Sequence, residues 1–135
     1  MSKLVHVAVG VITSINKANQ TQYFLTKRHD DAHQGGKWEF PGGKVEKDET
    51  IAQALARELK EEVNIEVLSC QPLITIDHDY GDKKVCLAVF VVDHYLGEPS
   101  AQEGQQERWC VLEEFNSLDF PKANEAIIAE LLSRH

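Results

Sequence analysis

The feature that most restricts this chain is a run of acidic residues near its middle. Residues 43–65 read GKVEKDETIAQALARELKEEVNI and place Glu58, Glu61 and Glu62 close together. On a helix, spacings of three and four residues put these three carboxylates on one stripe of the surface. Like charges at these spacings repel by roughly 0.2–0.5 kcal/mol per pair, so a cation is expected to offset them. Hard oxygen ligands favour Mg²⁺ or Mn²⁺.

The same segment carries the signals of a helix. Thr50 and Gln53 have the spacing of a capping box, so a helix is predicted to begin there and to run to about Val63. Asn64 follows, where a residue in the left-handed region is favoured and Asn is well tolerated. A second stripe is apolar and predicts the face that packs against a core. Its members are Ile51, Leu55, Leu59 and Val63.

A bare acidic cluster is more often a solvated helix face, but this cluster belongs to a longer pattern. A glycine, Glu49 and the pair Arg57 and Glu58 all stand at fixed offsets from it. The pattern follows G-x5-E-x7-R-E-U-x-E-E-x-G-U, where U is a bulky aliphatic residue, and only Asn64 departs from it. It resembles the signature of the Nudix hydrolases. The resemblance implies that Glu49 orients the helix through Arg57.

Composition is that of an ordinary globular protein. A length of 135 residues fits one domain, so residues 1–135 are predicted to form a single Nudix hydrolase domain. The net charge of -8 argues against binding of a nucleic-acid polymer through a basic surface. No segment approaches the roughly 20 apolar residues that span a bilayer. The chain is therefore expected to be cytoplasmic, without a membrane partner, and monomeric.

Strand patterns surround the acidic helix. Residues 4–13, 22–27, 65–77, 85–95 and 108–112 are predicted strands, and residues 4–13 place Val5, Val7, Val9 and Val11 on one face. A final helix after residues 121–124 is predicted to bury Ile127, Ile128, Leu131 and Leu132. The sequence Pro41-Gly42-Gly43 is interpreted as a turn that aims the acidic helix. The predicted fold class is α/β, an α/β/α sandwich with a mixed β-sheet between helices, which is the Nudix fold.

The three cysteines predict no disulfide. Cys70, Cys86 and Cys110 are odd in number, widely spaced and set in apolar runs. They are interpreted as reduced core thiols without metal pairing.

Flanking segments extend the resemblance to the MutT group of Nudix hydrolases, which hydrolyse 8-oxo-dGTP. It runs from about residue 4 to residue 132, and the segments that carry it are FLTKR (24–28), DAH (31–33), WEFPGGK (38–44), GEP (97–99), EGQ (103–105) and FPKANE (120–125). Tyr80 stands where phenylalanine is usual in this group, and Lys83 where arginine is common. These two departures concern base selectivity and leave the chemistry unchanged.

The resemblance implies a set of metal ligands and a base. Glu58 and Glu62, with the Gly42 carbonyl, would bind the catalytic divalent metal, Mg²⁺ or Mn²⁺. Glu61 would complete a second metal position or hold water, and Glu103 would add a carboxylate that closes over the metal. Glu58, or else Glu103, would take the proton from the attacking water. Attack at the β phosphorus would release nucleoside monophosphate and pyrophosphate.

The resemblance also implies a base pocket. Asn124, Arg28 and the Phe40 backbone would hold the base, because an asparagine offers a donor and an acceptor to the O6 and N7–H edge of an 8-oxopurine. The residues expected around the pocket are His33, Glu39, Tyr80 and Asp82, and Lys44 is a candidate phosphate contact. Asn124 is equally well placed to cap the last helix. Arg28, His33 and Lys44 are residue types that more often lie on a solvated surface.

Three functions are consistent with this sequence. The first is an 8-oxo-dGTP diphosphatase that cleanses the nucleotide pool. The second is a Nudix pyrophosphatase acting on another nucleoside triphosphate, such as CTP or a methylated cytidine nucleotide, which would differ at the base pocket. The third is a non-catalytic nucleotide-binding regulator. Such a regulator would be expected to lack a metal ligand, whereas all three carboxylates of the helix are present.

Overall fold

The computed structural model of the chain describes residues 3–29 and 35–134. Its strands are β1 (Lys3–Ile15), β2 (Thr21–Lys27), β3 (Trp38–Glu39), β4 (Gly42–Lys44), β5 (Glu66–Asp79), β6 (Lys83–Leu96) and β7 (Glu107–Cys110). Two α-helices, α1 (Ile51–Val63) and α2 (Lys122–Ser133), and a 3₁₀ helix at Leu112–Ser117 complete the fold.

The strands form one mixed sheet. The main path runs β3-β2-β1-β6-β5, while β4 pairs with β1 and β7 with β2. Strands β1 and β6 are parallel, and the other pairs are antiparallel. Strands β1 and β2 form an antiparallel hairpin, with Thr13 opposite Tyr23. The mixed sheet and its helices confirm the predicted α/β fold class.

Alternation along the strands divides the core into two layers. On β1, Val9 and Val11 belong to the layer that contains residues of α2, whereas Ala8 and Ile12 belong to the layer packed against α1. Successive side chains of a strand point to opposite faces, so one strand serves both layers. On β2, Phe24 joins the α1 layer, whereas Tyr23 and Leu25 join the α2 layer. The sheet therefore lies between helices.

Helix α1 has the predicted ends. Thr50 accepts a hydrogen bond from the backbone N–H of Gln53, which completes the capping box. Asn64 ends the helix in the left-handed region with φ 59°. The buried stripe is correct for Leu55, Leu59 and Val63 but wrong for Ile51, which is 38% exposed; Ala54, on the next turn of the same face, is buried in its place.

Three other predictions need correction. Leu132 is 46% exposed, because it lies one residue, about 100° of helix rotation, beyond the buried Leu131. Gly42 and Gly43 belong to strand β4 and not to a turn. The 3₁₀ helix at Leu112–Ser117 was not predicted, although its Phe115 is a buried part of the α2 layer.

The cysteines are unpaired thiols, as predicted. Only Cys110 of the three is fully buried, whereas Cys70 and Cys86 are half-buried, so the interpretation of all three as core residues is too broad. Burial raises the pKa of Cys110 to about 12, which makes this thiol an inert part of the core at neutral pH. Within the described ranges, no helix combines the length and the apolar character needed to cross a membrane.

Candidate active site

Strand β4 lies directly over the acidic stripe of α1. A Cβ atom added to Gly43 would collide with the carboxylate of Glu58, so only glycine allows this approach. A Cβ atom on Gly42 would instead collide with the backbone carbonyl of Ala8 on β1. Gly42 therefore allows β4 to pack closely against β1, and Gly43 allows the Glu58 carboxylate to lie beneath β4.

Arg57 holds the helix to this strand. Its guanidinium donates two hydrogen bonds to Glu49, at 2.7 and 3.0 Å, and one to the Lys44 carbonyl at 3.0 Å. A further bond of 2.9 Å reaches the Glu58 carboxylate. The hydrogen bonds from Arg57 lower the pKa of Glu49 to about 2, so this carboxylate is ionised at neutral pH. Glu49 and Arg57 thus fix the position of Glu58, as the sequence pattern implied.

Glu62 is the carboxylate on which the other acidic side chains of the site act. Its pKa is raised to about 8, first by burial and then by the nearby charges of Glu39, Glu103 and Glu58, although a hydrogen bond from the Gly42 backbone acts in the opposite direction. Acids from β3, from α1 and from the segment before β7 therefore act on one carboxylate. This segment is tied to α1 because the Gln102 N–H donates to the Glu62 carbonyl at 2.9 Å. That bond places the exposed Glu103 near the cluster.

The donor set fits a hard divalent cation. Ionised carboxylates are its natural ligands, and the carboxylates of Glu39, Glu58 and Glu103 all lie near enough to Glu62 to contribute, after burial, to its raised pKa. Glu61 lies at the rim, with a side chain 63% exposed and 3.4 Å from Arg57. Among residues 3–29 and 35–134, no three His, Cys, Asp or Glu side chains already converge on one point. A bound ion would therefore have to draw these carboxylates together.

We expect Glu62→Gln to stabilise the metal-free protein at pH 8. The carboxylate has a higher pKa in the folded chain than in the unfolded chain, so the folded state binds more protons between about pH 4.5 and 8 and its stability falls as the pH rises through that window. The amide has no such proton to lose. One pKa unit corresponds to about 1.4 kcal/mol, so the variant should gain at least about 1 kcal/mol at pH 8.

Thermal unfolding in a chelator, from pH 4.5 to 8.5, measures this difference. Wild type should lose Tm more steeply than Glu62→Gln. Added Mg²⁺ should raise the Tm of wild type more than that of the variant, because the ion binds only the folded site. Parallel curves for the two proteins would contradict the position assigned to Glu62.

A cavity of about 260 Å³ opens beside β4. It gathers most of the residues predicted to bind the base or the phosphates, namely Arg28, Glu39, Phe40, Lys44, Tyr80 and Asn124, together with Gly42 and Gly43. A smaller cavity of about 180 Å³ adjoins it, since Arg28 and Glu39 line both, and its wall includes Glu62. The cavity beside β4 and the acidic cluster are therefore contiguous.

Asn124 lines the cavity and does not cap α2. The N-cap is Pro121, whose carbonyl accepts the backbone N–H of Asn124 at 2.9 Å. The capping alternative is therefore wrong, because the helix begins at Lys122 and places Asn124 within its first turn. Its side chain is half-buried on the cavity wall.

Arg28 and Glu39 form an ion pair on the cavity wall. The guanidinium and the carboxylate are 2.8 Å apart, with side chains 33% and 22% exposed. Burial raises the pKa of Glu39, whereas Arg28 lowers it. Arg28 is therefore a partly buried, paired charge on the cavity wall, and its part in binding the base stays a prediction. Phe40, 3% exposed, packs against Phe115 and Phe120 with ring centroids 6.1 Å away, which fixes the backbone beside the cavity.

Two predicted pocket residues are not in this group. His33 lies outside the described residues. Asp82 is exposed in the turn between β5 and β6 and does not line the cavity, whereas Lys83 does, so the role of Asp82 stays a prediction. The reason is alternation: Lys83 shares a strand face with Val85 and Leu87, which also line the cavity, whereas Asp82 precedes the strand.

The apolar floor of the cavity was not predicted as part of the site. It consists of Val7, Val9, Val85 and Leu87 from the parallel pair β1 and β6. The alternation of residues 4–13 indicated one shared face, but not that part of this face would be left uncovered by α2.

A comparison with protein families identifies the architecture. The profile described as the NUDIX domain matches residues 10–130. The chain belongs to the Nudix family. This match confirms the family that the acidic pattern of residues 43–65 predicted.

Individual relatives of this Nudix protein cover almost the whole chain. An 8-oxo-dGTP diphosphatase of Escherichia coli K12 is 40% identical over 129 residues, which are 96% of this chain and 97% of that protein. A CTP pyrophosphohydrolase of the same organism is 34% identical over 121 residues, 90% of this chain and 84% of that protein. A structure from a study of MutT from Aliivibrio salmonicida and Vibrio cholerae superposes with a TM-score of 0.84 and 34% identity, covering 98% of this chain and all of that one.

Proposed function

We propose that this Nudix protein hydrolyses 8-oxo-dGTP to 8-oxo-dGMP and pyrophosphate in the cytoplasmic nucleotide pool, with Mg²⁺ as cofactor and Mn²⁺ as a substitute. The observation that carries the proposal is the position of Asn124 on the wall of a cavity that continues to Glu62. The similarity to an 8-oxo-dGTP diphosphatase over 96% of the chain supports it.

Recognition of the base follows from the cavity wall. The Asn124 amide can accept from N7–H, which 8-oxoguanine carries and guanine lacks, and can donate to O6. Ordinary guanine has no N7–H, so it would leave the oxygen of the Asn124 amide without a hydrogen bond. A polar site rejects a close analogue in this way. The Phe40 backbone, held by its stacked ring, and the Arg28–Glu39 ion pair complete the wall.

Hydrolysis requires water to reach a phosphorus surrounded by negative oxygens. A divalent ion bound by Glu58 and Glu62, with the Gly42 carbonyl, would neutralise that charge and acidify a water molecule. Glu58 is held by Arg57 beneath Gly43 and accepts the proton from the water, with Glu103 as the other candidate. General-base action of this kind contributes roughly 10²–10⁴ to the rate. Lys44, which lines the cavity, offers its ammonium to the phosphates.

A second candidate, hydrolysis of CTP or a modified cytidine nucleotide, is favoured by the similarity to a CTP pyrophosphohydrolase. A pyrophosphate-release assay with 8-oxo-dGTP, dGTP and CTP distinguishes the two. We expect kcat/KM for 8-oxo-dGTP to exceed the values for dGTP and CTP by at least about 100-fold, since polar sites discriminate strongly. Omission of the divalent cation should abolish all three activities.

Asn124→Ala tests the recognition directly. The variant should lose most of the preference for 8-oxo-dGTP over dGTP while its low dGTP activity persists, because the amide contacts only the base. Glu125→Ala, one position further along α2 and exposed, is the matched control and should behave as wild type. Preference for CTP would support the second candidate, and no turnover of any nucleotide would support a regulator.

A further inference from the structure

A row of three potential metal ligands crosses the sheet at a distance from the acidic cluster. The strand register places Cys86 of β6 beside His6 of β1 on one side and beside Asp77 of β5 on the other. Val85 and Leu87, which flank Cys86, line the base cavity. Because side chains alternate along a strand, Cys86 and its two neighbours lie on the opposite face of the sheet.

The three side chains are accessible and already partly associated. Cys86 is half-buried, and His6 and Asp77 are exposed. The Cys86 thiol donates a hydrogen bond to the Asp77 carboxylate, and the pKa of Cys86 is raised by burial and then by this bond and charge. At neutral pH the residue is therefore a thiol whose proton is directed at a carboxylate, not a reactive thiolate.

Sulfur, imidazole and carboxylate donors together suit a different ion from the one that suits Glu58 and Glu62. Cysteine, histidine and aspartate are the usual ligands of Zn²⁺, with sulfur about 2.3 Å and nitrogen or oxygen about 2.0–2.2 Å from the metal. Asp77 and Cys86 are directly opposite on antiparallel strands, where Cβ atoms are about 4.5–5.5 Å apart. His6 lies beside Cys86 on the parallel neighbour, and adjacent strands are about 4.7–4.9 Å apart, so all three side chains are within reach of one ion. Mg²⁺, by contrast, favours carboxylate, carbonyl and water oxygens.

We propose that His6, Cys86 and Asp77 form a second metal site, for a borderline-soft divalent cation such as Zn²⁺, with water as the fourth ligand. The three donors of the described chain do not yet converge, so His6 turns towards the associated pair of Cys86 and Asp77 when the ion binds. The thiol proton is released to solvent, and the sulfur–metal bond replaces the S–H bond. The site would reverse the expectation of no metal pairing for Cys86, because the three residues are far apart along the chain and meet only through the strand register.

The site would join the three strands at the end of the sheet that carries the cavity floor. His6 and Cys86 are the direct neighbours of Val7, Val85 and Leu87, which form that floor. A bound ion would therefore stabilise the folded protein by mass action without contacting the nucleotide.

Titration of the full chain with Co²⁺, in excess Mg²⁺ to occupy the acidic cluster, tests the proposal through the thiolate-to-cobalt charge-transfer absorption. We expect a saturable band at one equivalent that Zn²⁺ displaces. Cys86→Ser and Cys86→Ala should abolish it, and His6→Ala should weaken Co²⁺ binding at least about tenfold, as loss of a ligand or its support does. Asp77→Asn should weaken it by less. Cys70→Ser, which removes the other half-buried thiol, should leave the band unchanged.

Several results would overturn the site. A missing band in wild type would mean that no thiolate binds the ion. A band that survives in Cys86→Ser, or disappears in Cys70→Ser, would assign the signal to another sulfur. Unchanged affinity in His6→Ala would reduce the site to a lone thiol. Far-UV circular dichroism of each variant separates these results from a loss of folding.

Discussion

Glu58→Gln is expected to reduce kcat for nucleotide hydrolysis by at least about 10³-fold while the protein remains folded. The amide has nearly the shape of the carboxylate, so it still fits beneath Gly43, where the structure leaves no room for a Cβ atom. It carries no charge for a divalent ion and cannot accept a proton from water at neutral pH. Loss of a general base alone would cost roughly 10²–10⁴, and loss of a metal ligand adds to it.

Folding should survive the change because the lost interactions are partly offset. Arg57 loses one hydrogen bond but keeps two to Glu49 and one to the Lys44 carbonyl. At the same time Glu62 loses a negative neighbour that raises its pKa. Circular dichroism should show a Tm close to that of wild type, and pyrophosphate release should show the loss of turnover.

Glu61→Gln is the matched control on the same helix. Its side chain is 63% exposed and lies 3.4 Å from Arg57, outside the buried part of the cluster. We expect its kcat to fall less than that of Glu58→Gln, because the resemblance implies for Glu61 a second metal position or a water contact and not the role of the base. Unchanged turnover in Glu58→Gln, or a larger loss in Glu61→Gln, would contradict the assignment of Glu58 as base or ligand.

The sequence predicted the helix of the site better than its surroundings. A capping box, a left-handed asparagine and spacings of three and four residues are local signals, and the structure bears out each of them at Thr50, Asn64 and the acidic stripe. The contact between Arg57 and Glu49 is similarly local, since both residues belong to one short segment. A sequence pattern can therefore predict geometry that depends on neighbouring residues of the chain.

The cavity depends on tertiary contacts that no local pattern records. Asn124 has the sequence context of a helix cap, and only the start of α2 at Lys122 shows that it is not one. Asp82 and Lys83 are adjacent in a polar turn, and only the first residue of β6 decides which one reaches the cavity. The segment Pro41-Gly42-Gly43 has the composition of a turn, yet pairing with β1 makes part of it a strand.

Substitution of the two glycines of β4 should separate catalysis from folding. In Gly43→Ala the new methyl group meets the Glu58 carboxylate, which is the end of a flexible side chain. The carboxylate can move aside, so the fold should survive with a modest loss of Tm. A shift of about 1 Å in a catalytic group can cost roughly 100-fold, so kcat should fall by about that factor or more.

In Gly42→Ala the methyl group meets the backbone carbonyl of Ala8, which is fixed in β1 between β4 and β6. Neither strand can move without breaking the sheet, so this variant should lose about 1–3 kcal/mol or more of stability, as overpacked sites do. Urea unfolding and pyrophosphate release, measured on both variants, give the comparison. For an equal loss of stability, Gly43→Ala should lose more activity than Gly42→Ala, because the new methyl group of Gly43→Ala meets the reacting carboxylate. The opposite ranking would mean that β4 does not lie over Glu58.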